Sequence, residues 1–149
     1  MTQWAETFGL TGLFISAFVS STLAPGGSEA VLAYLAGLSQ FSDGQLLGTA
    51  TLGNTLGALT TWFLGRFVAR RYGPDAVLST GRASAVTHLR RWGWPLLLFS
   101  WLPIIGDGFC FAAGWMRLPF WQSLLAIALG KAFRYAAILW ASHTVASAL

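Results

Sequence analysis

The stretches Ala24-Pro25-Gly26-Gly27-Ser28-Glu29 and Leu102-Pro103-Ile104-Ile105-Gly106-Asp107 decide how this chain is read. Each interrupts an apolar run, and each sets an acid four residues after a proline. Proline breaks a helix by removing a backbone donor and crowding the preceding turn. A broken apolar segment carrying one carboxylate, found twice at a spacing of about 78 positions, is the pattern of an internally duplicated membrane transporter.

The flanking lengths agree with that pattern. Residues 9–24 are apolar but stop at Pro25, and Ala30 to Leu38 is shorter still, whereas a spanning helix needs about 20 residues. The two pieces together read as a re-entrant hairpin, with Pro25, Gly26 and Gly27 at its break. Pro95 to Leu102 and Gly108 to Met116 form a second hairpin, broken at Pro103 and Gly106. Leu46 to Gly65 carries no charge and is the first full span, and Phe120 to about Ser142 is the second. Sliding the chain on itself by about 77 places Ala36-Gly37 on Ala113-Gly114 and Leu52-Gly53 on Leu129-Gly130; the prolines and acids match at about 78.

Composition supports a membrane setting. The chain has 149 residues, 55% hydrophobic and 9% charged, with a mean hydropathy of +0.61. A soluble domain carries about 25% charged residues. Net charge is +4, with Arg66, Arg70, Arg71, Arg82, Arg90 and Arg91 gathered in one central stretch. Cations between apolar spans match the bias that retains a loop in the cytoplasm, so residues 66–93 are expected there and nucleic acid is not an expected partner. Ala76 to Trp92 reads equally as a short amphipathic surface helix or as a solvated basic loop. Trp92, Trp94, Trp115 and Trp121 read as interfacial anchors.

The fold expected is therefore an all-α integral membrane protein forming a single membrane domain over residues 1–149. It comprises two inverted repeats, about 9–67 and 94–142, each a re-entrant hairpin plus a transmembrane helix. An Arg-rich cytoplasmic connector, about 68–93, with a short amphipathic helix joins them. A hairpin returns to its own side, so each half crosses once and the halves must be inverted.

Glu29, Asp107, Lys131 and Arg134 are the ionisable groups expected deep in the bilayer, where each costs about 2.5–3.5 kcal/mol unpaired. They should face inward and pair. Lys131 and Arg134 are three apart and share a helix face; in the 77-residue register they stand where the first half has Asn54 and Gly57. Two acids and two cations make a near-neutral site that gains positive charge on protonation, suited to exchanging a proton for an anionic headgroup. The competing reading is a structural ion-pair lock. Gly53, Gly57 and Gly114 are expected at helix-packing contacts, and Asn54 is a candidate polar lining residue.

No Ser-His-Asp constellation and no metal-ligand spacing appears, so neither an enzyme, a metal site nor a cofactor is expected. The single cysteine, Cys110, reads as a small buried hydrophobe. With no Lys or Arg before its apolar run, and Glu6 in place, the N-terminus does not read as a cleaved signal.

The runs Ala24 to Glu29 (APGGSE), Leu52 to Leu59 (LGNTLGAL), Ser100 to Arg117 (SWLPIIGDGFCFAAGWMR) and Leu129 to Tyr135 (LGKAFRY) resemble the YqaA-like branch of the DedA/VTT superfamily, formerly called SNARE-associated proteins. The resemblance runs from about residue 10 to 142. It implies a bacterial inner-membrane protein with two opposed hairpins that moves lipids, polyprenyl-phosphate carriers or small ions, in some members by suspected proton coupling. By motif position it puts the hairpin acids on Glu29 and Asp107 and the AG pair on Ala113 and Gly114. One departure matters: typical members carry arginines three residues before and after the second-hairpin proline, where this chain has Ser100 and Gly106.

The function expected is a transporter of a lipid with an anionic headgroup, or of a small anion, coupled to protonation of Glu29 or Asp107. The alternative is a non-transporting membrane organiser. Expected partners are membrane lipids, anionic headgroups at the arginine stretch, protons, and a second copy of the chain.

Overall fold

The computed structural model describes residues 2–22, 27–38, 40–72, 91–102 and 105–149. Pro25, Gly26, Pro103 and most of the Ala76–Trp92 connector lie outside them. The described residues are helical throughout their regular structure: α1 (Thr2–Thr22), α2 (Gly27–Gly37), α3 (Asp43–Tyr72), a 3-10 helix (Trp94–Trp101), α4 (Ile105–Trp115) and α5 (Phe120–Ala148).

Local chemistry fixes the ends of these helices. Before α3, Ser42 and Gln45 form a reciprocal capping box: the Ser42 N–H donates to Gln45 Oε1 at 3.1 Å and the Gln45 N–H to Ser42 Oγ at 3.2 Å. Arg70 and Arg71 occupy the last turn of α3, where cations offset the negative end of the helix dipole. Helix α4 closes in a Schellman turn. The Leu118 N–H donates to Ala113 O at 3.0 Å and the Arg117 N–H to Gly114 O at 3.1 Å, with Arg117 in the left-handed region at φ 58. Pro119 then prevents continuation.

The element bounds repeat. α2 and α4 are both 11 residues long, and in each the third residue is the acid, Glu29 or Asp107, within the first turn. A carboxylate there is stabilised by the positive end of the helix dipole. α3 and α5, 30 and 29 residues long, follow α2 and α4 respectively. The segments preceding the breaks differ: α1 is a 21-residue α-helix, whereas its counterpart is an 8-residue 3-10 helix with Pro95 in its first turn.

Several expected bounds shift. α2 begins at Gly27 instead of Ala30, and α3 runs from Asp43 to Tyr72 instead of Leu46 to Gly65, four residues past the expected start of the connector at about 68. α1 begins at Thr2 instead of residue 9, because no Gly or Pro interrupts Thr2–Phe8; its apolar part, Phe8–Ser21, remains shorter than a span. α4 begins at Ile105 instead of Gly108, two residues after Pro103. α5 runs on to Ala148 because nothing after Ser142 stops it. Among the described residues, α5 is the one helix both long and apolar enough to cross a membrane by length and composition. α3 matches it in length but is rich in Thr and Gly.

The chain divides into two compact units, Met1–Gly57 with Lys131–Leu149, and Ala58–Gly130. In the first, α1 packs on α2, and Leu13, Leu32, Leu35, Leu46, Ala50 and Leu139 close the core. Here the start of α3 and the end of α5 run antiparallel: Asp43 pairs with His143, both carboxylate oxygens 3.0 Å from Nε2, and Asn54 reaches Tyr135. In the second unit the 3-10 helix packs on α4, with Trp62, Leu97, Phe109, Trp115 and Ile127 in the core.

Candidate functional site

The first unit buries a polar cluster at the start of α2. Helix α2 brings Ser28 and Glu29 in on consecutive residues, α3 brings Asn54, and α5 brings Lys131, Arg134 and Tyr135 on one face through their three- and four-residue spacing. The Arg134 guanidinium pairs directly with the Glu29 carboxylate. Lys131 is 1% exposed, and Ser28 and Tyr135 are fully buried.

Hydrogen bonds knit the uncharged members together. Asn54 Nδ2 donates to the Tyr135 hydroxyl at 2.8 Å and to the Ala17 carbonyl of α1 at 3.1 Å. The same hydroxyl lies 2.8 Å from Ser28 Oγ, which donates to Ser20 Oγ at 3.3 Å. Tyr135 thus ties α2 to α3, and Asn54 ties α3 to α1. Asn54 Oδ1, Thr55 Oγ1 and Ser21 Oγ are buried with no hydrogen-bond partner among the described residues. Asn54 thus keeps spare acceptor capacity within the cluster.

Glycines let the helices of this unit approach. A Cβ on Gly53 would lie 2.6 Å from the Phe14 carbonyl oxygen, and one on Gly57 2.7 Å from that of Phe18. Gly27, the first residue of α2, has only Ser16 Oγ nearby, at 3.9 Å.

Asp107 is partly buried in the first turn of α4, within the second unit. Around it the geometry is tight. A Cβ on Gly106 would strike the Ser100 backbone, and one on Gly114 the Trp62 backbone. Ser100 is fully buried, donates from Oγ to the Ile127 carbonyl at 3.4 Å, and lies where a Cβ on Gly130 would come within 2.7 Å. The two positions at which the resemblance would lead one to expect arginines are thus packed against each other, backbone to backbone, with no room for a guanidinium between them.

The comparisons with known proteins are consistent with this helical, membrane-type chain. The family model for the VTT domain matches residues 25–144. The inner membrane protein YqaA of Escherichia coli K12 is 43% identical over 136 residues, 90% of this chain and 91% of that one, as is its namesake in Shigella flexneri. The chain belongs to the VTT-domain family, in its YqaA-like branch.

A Haemophilus influenzae relative is 43% identical over 138 residues, covering 87% of this chain and 85% of its own. No solved structure matches. As a VTT-domain member close to the YqaA proteins, the chain is a bacterial inner-membrane protein. The VTT match starts at Pro25 and takes in the whole cluster except its α1 residues. Sequence reasoning singled out the charged members and Asn54 but not Tyr135, Ser28 or Ser20. The available signal for Tyr135 was its position one turn after Lys131, on the face already assigned to the interior.

Proposed function

We propose that this VTT-domain protein is a transporter that moves a lipid with an anionic headgroup, such as a polyprenyl-phosphate carrier, or a small anion across the inner membrane. Its passage is coupled to protonation of Glu29 or Asp107. The observation that carries the reading is the buried cluster itself: Lys131 at 1% exposure and the Glu29–Arg134 pair beside an Asn54–Tyr135–Ser28 network. Charges at membrane depth are expensive and mark pathways more often than scaffolds. Asn54 Oδ1 leaves an acceptor for a donor group on the ligand, and the two cations favour an anionic one.

The architecture we propose with it is a pair of inverted repeats, each a re-entrant hairpin followed by a long helix. The equal lengths of α2 and α4, the matching place of their acids and the near-equal lengths of α3 and α5 support it. Broken helices at membrane depth are tolerated where they are buried or line a polar cavity. No enzymatic step is part of the proposal.

One observation favours a second reading. The direct Glu29–Arg134 contact is what a non-transporting organiser would use to lock α2 to α5. Reconstitution of the protein into liposomes with fluorescent phospholipids and with polyprenyl phosphates, with and without a pH gradient, separates them. Transport under both conditions identifies a scramblase, transport only with the gradient a coupled carrier, and no transport the organiser.

A further inference from the structure

The last turns of α3 carry a feature that the transport reading does not use. Phe63, Arg66, Phe67 and Arg70 line a cavity of about 450 Å3 in the second unit. Their spacing of three, one and three residues puts all four on one helical stripe. Phe63 and Phe67, a single turn apart, are 53% and 59% exposed. The Arg66 guanidinium sits over the Trp62 ring at 5.5 Å, which holds it in place. The Phe120 ring of α5 stands 5.9 Å from that of Phe63.

The position along α3 sets the chemistry. The uncharged stretch Leu46 to Gly65 is about 30 Å long at 1.5 Å per residue, the thickness of the hydrocarbon layer. Arg66 is the first charge beyond it. With α3 assigned as a spanning helix, as in the proposed architecture, Phe63 falls at the level of acyl chains, and Arg66 and Arg70 at the level of headgroups. Among the described residues neither arginine is in an ion pair with a carboxylate.

We propose that this groove is a binding site for an anionic diacyl phospholipid. An acyl chain lies against Phe63 and Phe67, and the phosphodiester is held by Arg66 and Arg70, whose planar forks suit phosphate oxygens. Charge complementarity selects the headgroup. Two cations with no acid paired to them among the described residues favour a lipid of net negative charge, and a zwitterionic lipid would bring its own ammonium towards them. The groove belongs to the second unit and the transport cluster to the first, so either proposal can fail without the other.

The test uses the full chain in detergent micelles, with thermal stability read against added dioleoyl phosphatidylglycerol, dioleoyl phosphatidylethanolamine or soluble glycerol phosphate. Phosphatidylglycerol should stabilise most, and glycerol phosphate should not replace it. Removing the arginines singly, as Arg66→Gln or Arg70→Gln, should weaken the apparent affinity for phosphatidylglycerol roughly fivefold each. Phe67→Ala should weaken both lipids alike. Arg71→Gln, an equal charge loss at an exposed neighbour that does not line the groove, should leave the preference intact. The proposal is overturned if Arg71→Gln reduces the preference as much as the lining arginines do. It is also overturned if the Arg66→Gln/Arg70→Gln double variant keeps the preference, if the wild type shows none, or if glycerol phosphate alone reproduces the effect.

Discussion

Asn54 Nδ2 donates a 2.8 Å hydrogen bond to the hydroxyl of Tyr135, joining α3 to α5 across 81 positions of sequence inside the buried cluster. The same hydroxyl serves Ser28, so Tyr135→Phe strips a partner from two buried groups at once. The expected loss of stability is about 1–3 kcal/mol. Combined with Asn54→Ala in a double-mutant cycle, the losses should fall short of additivity by at least about 0.5 kcal/mol. Additive losses in a thermal or SDS-unfolding assay would show that the contact is not energetically coupled.

The Glu29–Arg134 pair distinguishes transport from scaffolding. If the pair is a lock, Glu29→Gln alone strands a partly buried cation and costs about 1–3 kcal/mol, and adding Arg134→Gln restores folding. If it belongs to the pathway, Glu29→Gln still inserts but loses transport or its pH dependence, and the double variant folds without recovering transport. Asp107→Asn is expected to behave as Glu29→Gln does. Expression level, thermal stability and liposome flux measured on the same four proteins decide between the two.

Glycine positions should differ sharply along a single helix. Gly53→Ala forces α3 away from the Phe14 carbonyl of α1 and should destabilise by about 1–3 kcal/mol. Gly48→Ala, with nothing within 4 Å of the added methyl, should be neutral or stabilising by up to about 1 kcal/mol. Equal effects would mean that the α1–α3 contact yields freely.

Topology is tested by single cysteines at Ser79 and Ser147 in a Cys110→Ala background. Cys110 is fully buried, so its methyl replacement should be mild. An impermeant thiol reagent on intact cells should label the Ser147 position and spare that at Ser79 until the membrane is opened. Equal labelling would contradict inverted repeats with a cytoplasmic arginine stretch.

How much of this could be read from the chain depends on which residues carry a large energetic signature. Glu29, Lys131 and Arg134 stand out because a charge in a bilayer is costly wherever it sits. The breaks at Pro25 and Pro103 stand out because proline forbids a continuous helix. Tyr135, Ser28 and Ser20 are cheap in any environment that offers one hydrogen bond, so nothing in composition marks them, and only the folded positions of α2, α3 and α5 reveal that they meet. The 3-10 geometry of Trp94–Trp101 was similarly hidden, since its apolar content is that of any buried helix. The tight contact between Gly106 and Ser100 explains in steric terms what appeared in sequence only as a missing pair of arginines.

The division of the chain has a consequence for biosynthesis. The first unit needs Lys131–Leu149, so Leu13, Leu32 and Leu46 leave the ribosome long before Tyr135 and Leu139, which complete their core. Residues 58–130 can close while that earlier core is still open. During translation the insertion machinery must therefore hold α1 and α2 with their inner faces uncovered until the last helix arrives. A nascent chain arrested after Gly130 would contain the whole second unit and no finished first one.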